Sequence, residues 1–470
     1  MRTLKIAIAL IALFIIQSGF IFEAKASQIE IKSGIWKSDG NAQVLVVENE
    51  TYQFYDLTSI SCVTSTKGQS RDLVGKIFPQ IELQTDDKFV AVYYDGRATF
   101  RRRAALPEQC TVKRDNNSAL YNFDTFWQYF QENYPAFELR GIDWGAIRKD
   151  YRPRVKEGMS AAELLALLGE IVEKINDPHI FITNDKQGQD NISFGSPDPH
   201  GLAAAVRRAI PGKTTDEYRS AASKIEAAIE TEIRYDLLHG KFHTAQNERL
   251  TWGMLTGDVG YLRNSLAYGL FAPGMTREQM YSQLDETLDK IFNDLSSSKA
   301  LIIDVTTNTG GAGFISDYIA RRVIQKPFTA YMMKTKALDG FDIKSTKILE
   351  PSSGPRFSGP VIVLVSSNTV SAGEHLPLVL AGLPNVSLFG ETTLGSTGSF
   401  TMFGLPNGDR VSVANDVFTD RNGVWHEKRG IPPDIQAVVF NPAKLVTGYR
   451  DFVNSAIKLA KSRIKKTHTK

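Results

Sequence analysis

Cysteine is scarce: Cys62 and Cys110 are the only two among 470 residues. Two thiols so far apart in sequence are too few for a zinc site. Net charge is scarce as well. Lysines and arginines number 55 against 52 aspartates and glutamates, a formal net charge of +3. That balance gives no electrostatic case for a nucleic-acid partner. Beyond the first 26 residues no apolar run is long enough to span a bilayer. Internal repeats and low-complexity tracts are missing too. The remaining length suits two or three domains with ample core.

The first residues carry a targeting pattern. Arg2 and Lys5 precede a largely apolar stretch from Ile6 to Phe22, and Ala24-Lys25-Ala26 fits small-x-small cleavage before Ser27. A retained anchor is the rival, but Gln17, Ser18 and Gly19 dilute the run. Residues 1–26 are therefore expected to be a signal peptide. The mature chain would be periplasmic or secreted, with no stable membrane insertion. Loss of Arg2, Lys5, Lys25 and Glu23 lowers the net charge from +3 to +1. In an exported chain Cys62 and Cys110 are expected to form a disulfide, worth about 4 kcal/mol in the chain-entropy model. The basic tail from Lys458 to Lys470 reads as a solvated helix end.

Residues 27–114 read as a small β-rich domain, a barrel or a sandwich. Short apolar runs at Ala42–Val47, Tyr52–Tyr55, Lys76–Phe78 and Phe89–Tyr94 alternate with turn signals at Asp39-Gly40, Asp86-Asp87 and Asp95-Gly96. Residues 115–190 read as a helical subdomain. Phe123, Phe126, Trp127, Phe130 and Tyr134 make an aromatic stripe that suits core packing. A second helix opens on a Ser160/Glu163 capping box and stops at Asn176-Asp177-Pro178, because proline cannot continue it. His179 follows at once, ahead of a strand at Ile180–Thr183. Residues 191–250 read as a helical lid or linker. Residues 251–470 alternate strands and helices, an α/β core. Among its elements are a helix capped by Thr276 and Gln279 and a buried strand, Ala300–Val305, that runs into Gly310-Gly311.

The chemistry concentrates where Val361-Ile-Val-Leu-Val365 ends in small polar residues and Ser371 stands at the start of a helix. A strand–turn–helix corner presents a serine at the positive end of a helix dipole with free amides around it. Ser371-x-x-Glu374 is equally the pattern of a capping box, which is structural. Serine needs a base, and the chain has seven histidines. His239 and His243 lie on the lid, His200 in a loop and His468 in the tail. His375 would lie inside the helix that Ser371 opens. His426 and Glu427, on a strand-like segment, would face opposite sides. His179 alone sits at a helix-to-strand junction pinned by proline. Gly310-Gly311 could offer amides to an anion, together with the amide of Ala372. No Gly-Lys-Ser/Thr follows, which disfavours a phosphate loop.

Five fragments in order resemble the C-terminal-processing peptidase family, which includes the tricorn core protease and retinoid-binding repeats. They are Leu301–Gly311, Thr369–Glu374, Gly390–Gly395, Leu405–Gly408 and Gly430–Ile435. The resemblance implies an α/β fold with a crotonase-like ββα core and a helical N-terminal subdomain, here preceded by the β-rich domain. It implies a serine peptidase with Ser371 as nucleophile and Gly310, Gly311 and Ala372 as oxyanion donors. The processing proteases take their base from a lysine after the Gly-x-x-x-x-Gly element, where this chain has Ser396. The tricorn-like branch uses a histidine of an Asp-Gly-His element, which Asp177-Pro178-His179 resembles. It orients that base with a glutamate at the place of Glu427. The implied triad is Ser371, His179 and Glu427, acting on polypeptide without metal or organic cofactor. Thr309 replaces the family's proline, and no segment matches its PDZ domain. A non-catalytic binder of apolar ligands or peptides on the same fold, and a hydrolase of small esters or amides, are the rival readings.

Overall fold

Side-chain alternation builds the first sheet. In Thr51–Leu57, Tyr52 and Phe54 are buried while Thr51, Gln53 and Tyr55 are not, the two-residue period of a strand with one face on a core. The computed structural model describes residues 31–40, 42–49, 51–70, 80–92, 97–184, 192–196, 200–272, 274–337 and 340–467. The expected signal peptide, the Lys76–Phe78 run, the Asp95-Gly96 turn and His468 lie outside the described residues. The chain divides into two units. One comprises residues 1–197, 335–343 and 400–415; the other comprises 198–334, 344–399 and 416–470.

The first unit holds one antiparallel seven-stranded sheet. Its order is Cys62–Ser70, Thr51–Leu57, Gln43–Glu48, Gly34–Ser38, Arg97–Arg103, Lys88–Val92, Gln80–Thr85. The strands pair as an up-and-down meander in which the first, Gly34–Ser38, pairs with the last, Arg97–Arg103, the strand order of the small barrel that was one of the two expected forms. Its core is aromatic: Phe89 and Phe100 are cross-strand partners whose rings stack at 4.9 Å, and Trp36 meets Phe89 edge-on at 5.1 Å. A disulfide joins Cys62 to Cys110. The aromatic stripe folds as the helix Ala119–Asn133, which Ser118 caps by accepting the Tyr121 amide. The helix Ala161–Ile175 carries the expected Ser160/Glu163 box and buries Leu164, Leu168, Ile171, Val172 and Ile175. A second, four-stranded sheet orders Phe400–Gly404, Arg410–Ala414, Phe181–Thr183 and Ser193–Gly195.

The second unit is built on a mixed seven-stranded sheet. Phe242–Ala245, Leu250–Thr256 and Val259–Asn264 pair antiparallel; Ala300–Asp304, Val361–Val365, Val386–Gly390 and Ile435–Gln436 then follow in parallel. The strands Ala300–Asp304, Val361–Val365 and Val386–Gly390 are buried at every residue, as expected of parallel strands covered on both faces. Leu301, Ile303, Val361 and Val363 pack under helices Arg277–Asp294, Phe314–Arg321 and Ala372–Leu380. Ile302, Ile362 and Leu364 face Gly201–Ala209, Thr215–Thr231 and Thr447–Thr467. Tyr218, Ala222 and Ile229, in the segment read as a lid or linker, belong to this second layer. Among the described residues no helix is long and apolar enough to cross a membrane.

Candidate active site

The apolar run Val361–Val365 ends where hydroxyls replace methyl groups, and those hydroxyls tie the turn down. Ser366 Oγ donates to the Thr306 carbonyl at 2.5 Å, and Thr369 Oγ1 to the Val305 carbonyl at 2.9 Å. The Val370 amide donates to the Asn308 carbonyl at 3.0 Å. Ser371 is thereby held at φ 56°, ψ −127° immediately before the helix Ala372–Leu380. Such a backbone is rare for a side-chain-bearing residue and costs about 1–3 kcal/mol. The corner matches the strained turn that lifts a serine clear of its sheet. Ser371 is half-buried.

The glycine pair abuts this corner. Gly310 has φ 113°, and a Cβ there would stand 2.7 Å from Ser371 Cβ and 3.1 Å from its Oγ. Gly310 is therefore glycine for proximity to the serine. Its amide, however, donates to Asn308 Oδ1 at 2.9 Å. Gly311, at φ 127°, lies against the Ala267 backbone, held by Ala267 N–H to Gly310 O at 2.9 Å and Ala312 N–H to Ala267 O at 2.8 Å. The amides of Gly311 and Ala372 donate to no other group among the described residues. Of three expected oxyanion donors, two are thus unengaged, and Gly310 contributes its lack of a side chain.

Glu427 is buried in the same unit. Its Oε2 accepts the Thr397 amide at 3.0 Å, the Gly398 amide at 3.4 Å and Thr397 Oγ1 at 3.4 Å. The expected strand around His426 is instead a tight turn, closed by Gly430 N–H to His426 O at 2.9 Å. Gly430, at φ 70°, touches the Thr393 carbonyl so closely that a Cβ would collide with it. The Ile431 amide donates to Thr393 Oγ1 at 2.7 Å. Glycine and threonine thus lock the Gly430–Ile435 fragment onto the Gly390–Gly395 fragment.

His179 belongs to the first unit. Pro178 ends the preceding helix, Asn176 takes φ 49°, and the Ile180 amide returns to the Asp177 carbonyl at 2.9 Å. Asp177 is buried: Oδ1 accepts the His179 amide at 2.9 Å, and Oδ2 accepts Tyr134 Oη at 2.8 Å and pairs with Arg140 at 3.1 Å. The His179 carbonyl accepts Ser412 Oγ at 2.8 Å, and its ring lies 5.5 Å from that of Phe400. Proline in place of glycine leaves this loop tightly held.

The elements from Val259 to Ala437 that carry the serine corner, the glycine pair and Glu427 match peptidase family S41, a family of serine-type peptidases. The domain belongs to peptidase family S41. Residues 115–173 match the C1 domain of tricorn protease. Carboxy-terminal processing protease CtpA of Bacillus subtilis is 26% identical over 168 residues, 36% of this chain and 34% of that protein. The candidate tricorn protease homolog 2 of Streptomyces coelicolor is 25% identical over 375 residues, 68% of this chain and 30% of that protein. The matches thus span about a third of those relatives' lengths. The crystal structure of a candidate peptidase from Parabacteroides merdae shares the fold, with TM-score 0.57 at 24% identity over 73% of this chain and 96% of that one.

Ser371, Gly310, Gly311, Ala372 and Glu427 lie within residues 259–437 and in one unit, while His179 lies outside that match and in the other unit. Of the two histidines nearest Ser371 and Glu427 in sequence, His426 has both ring nitrogens engaged and His375 is buried among aromatic rings. His426 faces Asp420 Oδ2 at 3.1 Å and the Gly430 carbonyl at 3.3 Å with its two ring nitrogens. His375 is buried beside Phe418 and Tyr331, with rings 4.9 and 5.8 Å away, and its Nδ1 has no partner. Burial pushes its pKa down. Among the described residues no cluster of histidine, cysteine and carboxylate side chains could hold a metal. Sequence reasoning missed Asn308, although Asn-x-Gly is a recurrent pattern of side-chain-to-backbone turns. It also took Glu374 for a cap alone.

Proposed function

We propose that this chain is an exported serine peptidase that hydrolyses polypeptide through Ser371, His179 and Glu427. The observation that carries the reading is Ser371 in its strained corner, with the unengaged amides of Ala372 next to it and Gly311 beyond the bare Gly310. His179 takes the proton as Ser371 Oγ bonds to the scissile carbonyl carbon, and the Gly311 and Ala372 amides receive the oxyanion. The C–N bond then breaks, and His179 returns the proton to the leaving amine. Water attacks the acyl-enzyme with His179 again as base, and the acid product leaves with Ser371 restored. Glu427 fixes the imidazole tautomer and stabilises the imidazolium. The engagement of both His426 ring nitrogens by Asp420 and the Gly430 carbonyl supports His179 over His426 as the base. Export rests on the pattern of residues 1–26 and on the disulfide.

Ser371→Ala should abolish digestion of a peptide library and labelling by a fluorophosphonate, with circular dichroism unchanged. His179→Ala should lower kcat by several powers of ten, about 10³-fold or more on triad precedent. Peptide hydrolysis retained by Ser371→Ala refutes the assignment. Labelling without peptide cleavage would make the chain a hydrolase of small esters or amides.

A further inference from the structure

We propose that Glu374 is a positioning residue that holds the nucleophile turn and the cradle of Glu427 in one register. This rests on the reading of Ser371 as nucleophile and Glu427 as orienting carboxylate. The chain supplies its own comparison, because three other helices open on the same kind of box. Glu163 bonds only Ser160, Glu217 bonds Thr214, and Gln279 bonds Thr276. All three are solvent-exposed at their helix starts. Glu374 instead is 0% exposed. It accepts the Ser371 amide at 3.2 Å as a cap would. It also accepts Thr393 Oγ1 at 2.6 Å and the amides of Gly395 and Ser396, each at 2.8 Å. These three donors come from a segment 19 to 22 residues further along the chain.

The order of those donors is informative. The amides of Gly395 and Ser396 turn to Glu374, and the next two, of Thr397 and Gly398, turn to Glu427. One run of four amides therefore binds two carboxylates in alternate halves. Moving Glu374 moves both the Ser371 amide and the loop that holds Glu427. All four partners of Glu374 are donors, which calls for an ionised, acceptor-only carboxylate. Among the described residues no cation is paired with it, and burial pushes its pKa up. A buried charge held by dipoles alone is a costly way to start a helix. That cost suits geometry rather than stability.

The test compares Glu374→Gln with Glu217→Gln as a control cap, reading kcat, KM and Tm on a cleaved peptide. Glu374→Gln keeps the shape but replaces one acceptor oxygen with a donor. It should lower kcat about 10- to 100-fold, since misplacements near 1 Å cost that much. KM should stay within about threefold, Tm should not fall, and the control should keep its kcat. Thr393→Val and Thr393→Ser form a second pair that removes or keeps the hydroxyl that donates to Glu374 and accepts the Ile431 amide. The first should lose kcat at constant KM, and the second should recover it. The pair decides the matter if Glu374→Gln does not fold. Wild-type kcat in Glu374→Gln or Thr393→Val, or a kcat loss matched by a Tm loss in both, overturns the proposal. An active Ser371→Ala would instead sink the reading beneath it.

Discussion

Asn308 holds the Gly310 amide: the N–H donates to Oδ1 of its side chain at 2.9 Å. The same carboxamide donates through Nδ2 to the Asn264 carbonyl at 3.2 Å, and the Asn308 carbonyl receives the Val370 amide at 3.0 Å. One fully buried residue thus joins the end of a β-strand, the glycine turn and the residue before the nucleophile. Asn308→Ala leaves a buried amide and a buried carbonyl without partners, at about 1–3 kcal/mol each. Urea unfolding should show a loss of about 2–6 kcal/mol in total. If Gly311 and Ala372 are the oxyanion donors, kcat should fall by about tenfold or more as the turn relaxes. An Asn308→Ala protein unchanged in both would show that the turn stands without it.

What could be read in advance was local. The run Val361–Val365 and the Ser160/Glu163 and Thr276/Gln279 boxes are written in adjacent residues, and each folds as its pattern implies. The strand Arg97–Arg103 went unread because four arginines hide a two-residue alternation; only Ala98 and Phe100 turn inward. The helix Thr447–Thr467 appeared only as a basic tail, since its apolar stripe of Tyr449, Val453, Ala456 and Ala460 is thin and acquires meaning from the sheet it covers. The partners of Glu374 were out of reach for a different reason. They lie in a loop whose path depends on Gly430 pressing against Thr393, a non-local contact with no trace in composition.

The clamp on the His179 loop makes a prediction inside the first unit. Asp177 is buried with one cation and one hydroxyl. Tyr134→Phe removes a single hydrogen bond and should cost about 1–2 kcal/mol. Arg140→Leu strands a buried carboxylate and should cost about 3–5 kcal/mol. Chemical denaturation at neutral pH gives the ranking. With His179 as the base, Tyr134→Phe should also lower kcat several-fold while KM holds. Equal stability losses in the two variants would mean that Arg140 is not what neutralises Asp177.

Asp56 makes stability depend on pH in the less common direction. It is buried, and loss of solvent raises its pKa from 3.8 to about 6 against the opposing bonds from Gly404 and Gln43. Its Oδ2 accepts the Gly404 amide at 3.0 Å and its Oδ1 accepts Gln43 Nε2 at 3.2 Å. Because the folded pKa lies above the unfolded one, the folded state binds the extra proton. The stabilisation is complete below about 3.8 and is lost as pH rises through about 6. Asp56→Asn removes the ionisation, and Gln43 can turn its amide to meet the new donor. The variant should match the wild type near pH 4 and gain on it toward neutrality, by up to about 3 kcal/mol. Urea unfolding at a series of pH values measures that difference. A gap that stays flat from pH 4 to 7 would mean that Asp56 ionises at its ordinary pKa inside the sheet.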